Sequence, residues 1–166
     1  MIDAVTSDPA AAPQLTAQEV AAGAPDGAAL IVGDVVGALP PGQRLVLAPR
    51  VVSAAIAALA APQRTPQAPA IACAGIRAVP AGERQTVVPA LVAAAVAMAP
   101  SAQLQIAACA TEAVPELAAA IAAAALPPLQ PELASPPTSP LPGGTIGRDV
   151  LFKPVVVQTC ASPPCP

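Results

Sequence analysis

By residue type, the four cysteines are the side chains of this chain best placed to do chemistry. Cys73 and Cys109 lie in long apolar stretches, while Cys160 and Cys165 bracket Ala161-Ser162-Pro163-Pro164 near the C-terminal end. An even count with a terminal pair points to disulfides and to an oxidising compartment. The competing reading makes Cys73 and Cys109 small buried apolar residues with free thiols. Spacing leaves both open but makes the bridge feasible. Cys73 precedes Pro80 by seven residues and Cys109 precedes Pro115 by six. If their helices are equivalent layers of one stack, the thiols differ in height by about one residue rise, ~1.5 Å. Alanine-lined helices approach to the low end of the usual ~8–10 Å. A bridge between adjacent layers is then geometrically reasonable. It would close a loop of about 36 residues and contribute a few kcal/mol. A zinc site is not expected, because only Cys160 and Cys165 are close in sequence and two prolines separate them.

Other chemistry is scarce. The chain has no His, which removes the commonest general base, the Ser-His and Cys-His nucleophile pairs and the commonest zinc ligand. Pro142-Gly143-Gly144-Thr145-Ile146-Gly147 lacks the strand, helix and Lys of a phosphate-binding loop and reads as a hinge. Glu112 and Glu116 are four apart, but Pro115 interrupts the helix between them, so they read as a solvated face. Arg44 and Arg84 recur at matching positions just past a turn. One reading makes them a ligand-facing ladder. The favoured one has them bonding turn carbonyls or a nearby acid, Glu83 or Asp34. The expectation is therefore no catalytic residue, no cofactor, no metal and no small-molecule substrate, and the chain is not read as an enzyme.

The elements that must position these residues are legible in a repeat. Ala38-Leu39-Pro40-Pro41-Gly42-Gln43-Arg44 returns forty residues later as Ala78-Val79-Pro80-Ala81-Gly82-Glu83-Arg84, and the match continues through Val51/Leu91, Val52/Val92 and Ile56/Val96. Apolar runs punctuated by Pro and Gly at such a period indicate stacked helical hairpins. The expected fold is all-α and α-solenoid-like, with a repeat of about forty residues. Thr16-Ala17-Gln18-Glu19 reads as a capping box opening the first helix, and Asp26 as the N-cap of the next. Pro62 through Pro69 reads as a linker between repeats. Pro49 and Pro89 either kink a helix or start one, and the second choice is favoured because Pro is tolerated in a first turn. The predicted organisation is an extended N-terminal arm at 1–15, a helical-repeat domain at 16–126 and a Pro-rich C-terminal arm at 127–166. That arm carries one short β-strand over 149–159, which Pro154 confines to an edge.

Composition points to assembly. Hydrophobic residues make up 55% of the chain, but about a quarter of it is Ala and Phe152 is the sole aromatic residue. Such helices remove little apolar area each, so the core is thin and gains from staples or partners. Charged residues are only 10% of the chain and the net charge is −3. With one Lys and no cluster of Arg, that argues against the basic stripe nucleic acid needs, and it favours self-association. No run reaches the ~18–20 apolar residues of a membrane span. Met1-Ile2-Asp3-Ala4-Val5 has no basic region leading into an apolar core, so a leader is absent or already removed. Over 28–126 the Ala/Pro pattern resembles helical-repeat segments of secreted or surface proteins of bacteria with GC-rich genomes. That resemblance implies no catalytic residues. The expected role is a structural subunit of an extracellular bacterial filament or surface layer, a homopolymer whose arms clasp neighbouring copies through Val150, Phe152, Val155 and Val157. The alternative is a monomeric helical-repeat adaptor that binds a protein. If the cysteines are free thiols, the location becomes cytoplasmic.

Overall fold

The computed structural model describes residues 2–23 and 27–126. Within them the backbone is helical, with no strand. Eight α-helices follow one another: α1 (Ile2–Ser7), α2 (Ala12–Ala22), α3 (Ala28–Ala38), α4 (Arg44–Ala58), α5 (Ala61–Ala78), α6 (Arg84–Met98), α7 (Gln103–Ala113) and α8 (Ala118–Ala125). Short 3₁₀ turns lead into α2, α6, α7 and α8. The N-cap expected at Asp26, the arm expected over 127–166 and the strand expected over 149–159 lie outside the described residues.

From α1 to α6, each helix packs more extensively against the helix two places along than against its immediate successor. The odd helices α1, α3, α5 and α7 thus form one row, and the even helices α2, α4, α6 and α8 a second. The core lies between the rows and is built from Val, Ile, Leu and Ala. Its pattern recurs every twenty residues. Val51, Val52, Ala55, Ile56 and Leu59 are buried on and just after α4, Ile71, Ala72, Ile76 and Val79 on and just after α5, and Leu91, Val92, Ala95, Val96 and Ala99 on and just after α6. That spacing puts apolar side chains at i, i+1, i+4 and i+5, one stripe of a helix facing inward. Gly75 allows the closest approach. A Cβ there would lie 3.2 Å from Val52 Cγ2, 3.4 Å from Leu91 Cδ2 and 3.5 Å from Val32 Cγ1, so α5 meets α3, α4 and α6 at this one position. Gly42 closes the Pro40-Pro41 turn with φ +83°, a left-handed backbone that favours glycine.

Four expectations are corrected. The N-terminal arm expected over 1–15 is helical, not extended. Asp8 Oδ1 accepts from the Ala10 amide at 3.2 Å, and Pro9 fits the first position of the turn, where no amide is required. Val5 and Ala12 are fully buried, which supplies the packing that a sequence window does not contain. Thr16 accordingly sits inside α2 and caps nothing; its hydroxyl donates back to the Ala12 carbonyl at 2.8 Å.

The linker expected at 62–69 belongs to the 18-residue α5. Pro62 occupies its first turn at no hydrogen-bonding cost, whereas Pro66 and Pro69 lie inside it. Each forfeits a backbone bond, and burial of Ala68, Ile71, Ala72 and Ile76 on the same helix offsets the loss. Pro49 and Pro89 do not start helices either. They lie inside α4 and α6, which begin at Arg44 and Arg84. In both, the proline falls in the second turn, so the carbonyls it leaves unpaired, on Leu45 and Gln85, belong to exposed residues.

Candidate functional site

The most defined chemical feature joins the odd row. Cys73 on α5 and Cys109 on α7 are placed as a disulfide, with Cα atoms 6.1 Å apart. That separation lies in the ~4.4–6.8 Å range of disulfides. Cys73 is buried and Cys109 half-buried. The link spans 36 residues of sequence and encloses all of α6. The placement of Cys73 beside Cys109 agrees with the height argument from Pro80 and Pro115.

The arginines act on helix ends. Arg44 is buried at the start of α4, and Nε donates to the Val36 carbonyl at 3.3 Å while Nη2 donates to Gly37 O at 3.1 Å. Its Nη1 lies 3.4 Å from Glu83 Oε2 across the turn preceding α6. Arg84 repeats the motif with Nε on Val79 O at 3.2 Å. Arg64 does so with Nε on Leu59 O and Nη2 on Ala57 O, both at 3.0 Å. Each guanidinium thus closes carbonyls at the C-terminal end of the preceding helix, groups with no intrahelical partner. Arg64 escaped the sequence reading, although Gln43-Arg44, Gln63-Arg64 and Glu83-Arg84 stand twenty residues apart. Among the described residues every buried side-chain nitrogen and oxygen has a hydrogen-bond partner.

Two concavities stand out among the described residues. An apolar groove of about 280 Å³ lies where α6, α7 and α8 meet. Ala93, Val96, Ala97, Pro100, Ala124 and Leu126 line it, and Gln103 brings its one polar side chain. Leu126 is 66% exposed at its edge. Next to it, α8 shows solvent only alanines: Ala118, Ala119, Ala122 and Ala123 are its exposed residues. The opposite end differs, since α1 and α2 expose Asp3, Thr6, Ser7, Gln14, Gln18 and Glu19. A second cleft of about 200 Å³ lies among Gly42, Leu45, Glu83, Thr86 and Val87, beside the Arg44–Glu83 pair.

Among the described residues no cluster of Cys, Asp or Glu is arranged to hold a metal ion, and no helix is long and apolar enough to cross a membrane. Glu112 and Glu116 are both exposed. Cys160, Cys165 and the clasp residues Val150, Phe152, Val155 and Val157 fall outside the described residues. No family model, curated protein or solved structure matches this chain.

Proposed function

We propose that this chain is the structural subunit of a self-assembling extracellular bacterial filament or surface layer, its two helix rows forming a short α-solenoid whose arms clasp neighbouring copies. The observation that carries the reading is the contrast between the two ends of the rows. Helical stacks in solution need a polar outer face on the terminal unit. The α1–α2 end has one, whereas at the other end α8 exposes only alanines beside an apolar groove and the polar groups, Gln105, Glu112 and Glu116, lie on α7 and the turn before α8. Low charge over the whole chain acts in the same direction. The Cys73–Cys109 pair supports an oxidising location outside the cytoplasm.

Light scattering across a concentration series, with negative-stain imaging of the purified full chain, tests the proposal. Regular polymers that grow with concentration are expected. A monodisperse 16.0 kDa species at every concentration refutes it and leaves the adaptor reading. The observation favouring that second reading is the 200 Å³ cleft, where Leu45 is 48% exposed and Val46 beside it 54% exposed.

A further inference from the structure

We infer that the α6–α7–α8 groove is a receiving site for the Val150–Val157 segment of a second copy of this chain, with Phe152 as the group that enters it. The inference rests on the assembly reading and names the surface at which the clasp closes. Size is the first argument. An apolar cavity of about 150 Å³ accepts a benzene ring, and this groove is about 280 Å³, room for a phenyl ring and a neighbouring branched side chain. Chemistry is the second. Ala93, Ala97 and Ala124 leave the space open, and Gln103 alone is polar, so the groove suits an uncharged aliphatic or aromatic group. The chain has one aromatic residue, Phe152, which follows Val150 and Leu151 and is separated by Lys153 and Pro154 from Val155, Val156 and Val157. Position is the third. Leu126 lines the groove and residues 127–166 follow it directly, so every subunit carries both a groove and, beyond it, a matching apolar segment. A tail seated in the groove of the next copy makes a heterologous contact, and repetition of such a contact gives an open filament when the rotation does not close.

The test uses the full chain with p-azidophenylalanine in place of Phe152, mixed with ¹⁵N-labelled wild-type chain, irradiated and mapped by mass spectrometry. Light scattering runs on the same samples. The expected result is crosslinks from position 152 to α6 and α8 peptides of the labelled partner. Ala97→Glu, at an exposed groove position, should lower their yield at least about tenfold with the helical circular dichroism unchanged, since a carboxylate in an apolar site disfavours burial of a ring. Crosslinks confined to a single chain overturn the second copy as the occupant. Crosslinks between chains that miss the groove, or a yield indifferent to Ala97→Glu, overturn the site while polymers seen by scattering leave the assembly reading standing. A sample that stays monomeric throughout overturns the assembly reading itself.

Discussion

Breaking the Cys73–Cys109 link should lower stability by an amount that follows from its place in the chain. The two residues are 36 apart in sequence. Loop-closure entropy for a ring of that length amounts to roughly 4 kcal/mol at room temperature. Unfolding entropy is about 2.1 cal/mol/K per residue. Over the ~120 residues of the helical region it sums to about 0.25 kcal/mol/K. The melting temperature should therefore fall by about 15 °C. Alanine is the appropriate replacement, because Cys73 is buried and a serine hydroxyl there would need a partner. Cys73→Ala/Cys109→Ala should melt about 15 °C below the oxidised wild type by circular dichroism, and reductant should move the wild type most of the way to the variant.

The variant keeps Cys160 and Cys165, so its own response to reductant is measured and subtracted from that of the wild type. This internal control separates loss of the cross-link from loss of two sulfur atoms of packing. If the wild type melts within about 2 °C with and without reductant, while alkylation and mass spectrometry show that both thiols have been freed, the entropic reasoning fails. A drop in the variant without one in the reduced wild type would assign the effect to packing.

Two further outcomes test the packing and the helix ends. Gly75→Val should destabilise by about 1–3 kcal/mol through overpacking against Val52, Leu91 and Val32. Gly37→Ala, in α3 with nothing within 4 Å of the added carbon, should stabilise by roughly 0.5–1 kcal/mol; urea unfolding reads both, and equal effects at the two positions would contradict the close approach at Gly75. Arg44→Met keeps the aliphatic stem but removes the bonds to Val36 O and Gly37 O and should cost about 2 kcal/mol. Glu83→Gln should cost under about 1 kcal/mol in the same assay, because its side chain is 28% exposed; a larger loss from Glu83→Gln than from Arg44→Met would make the ion pair, not the carbonyl bonds, the reason for the arginine.

What the sequence disclosed depended on whether the deciding interaction was local. The helical stripes at Val51–Ile56 and Leu91–Val96 recur within one helix and were legible, as was the pairing of Cys73 with Cys109 from their offsets to the next proline. Pro62–Pro69 was misread because local cost was weighed without the tertiary gain. A proline inside a helix costs roughly 3 kcal/mol, but α5 buries Ile71, Ala72 and Ile76 between neighbours at its far end. The same holds for the N-terminal segment, where buried Val5 owes its place to packing of α1 on α3. Thr16 and Glu19 have capping-box spacing, but α2 had already begun at Ala12. The twenty-residue recurrence of Pro49, Pro69 and Pro89 was overlooked for a subtler reason. Alternate helices occupy different rows, so the turn residues agree best at forty even though the burial phase returns at twenty.

Small side chains tie these observations together. A helix of alanine gains little from burial per residue, so neighbours must come close before dispersion compensates. Gly75 and the cysteine Cα separation of 6.1 Å mark where they do. Close approach leaves little room for turn residues to satisfy carbonyls, and Arg44, Arg64 and Arg84 supply donors long enough to reach them. The same economy explains the asymmetry of the ends. The α1–α2 end exposes polar side chains that can bond water, whereas α8 exposes only methyl groups and its polar neighbours, Glu112 and Glu116, precede it. An alanine surface does not hold water by hydrogen bonds and does not repel a partner by charge. Its exposure is tolerable in isolation and becomes favourable as soon as another apolar surface meets it. If the chain assembles as proposed, a Glu at exposed Ala119 or Ala122 of α8 should slow polymer growth in light scattering and leave the melting temperature unchanged, and unchanged growth would remove this end from the proposal.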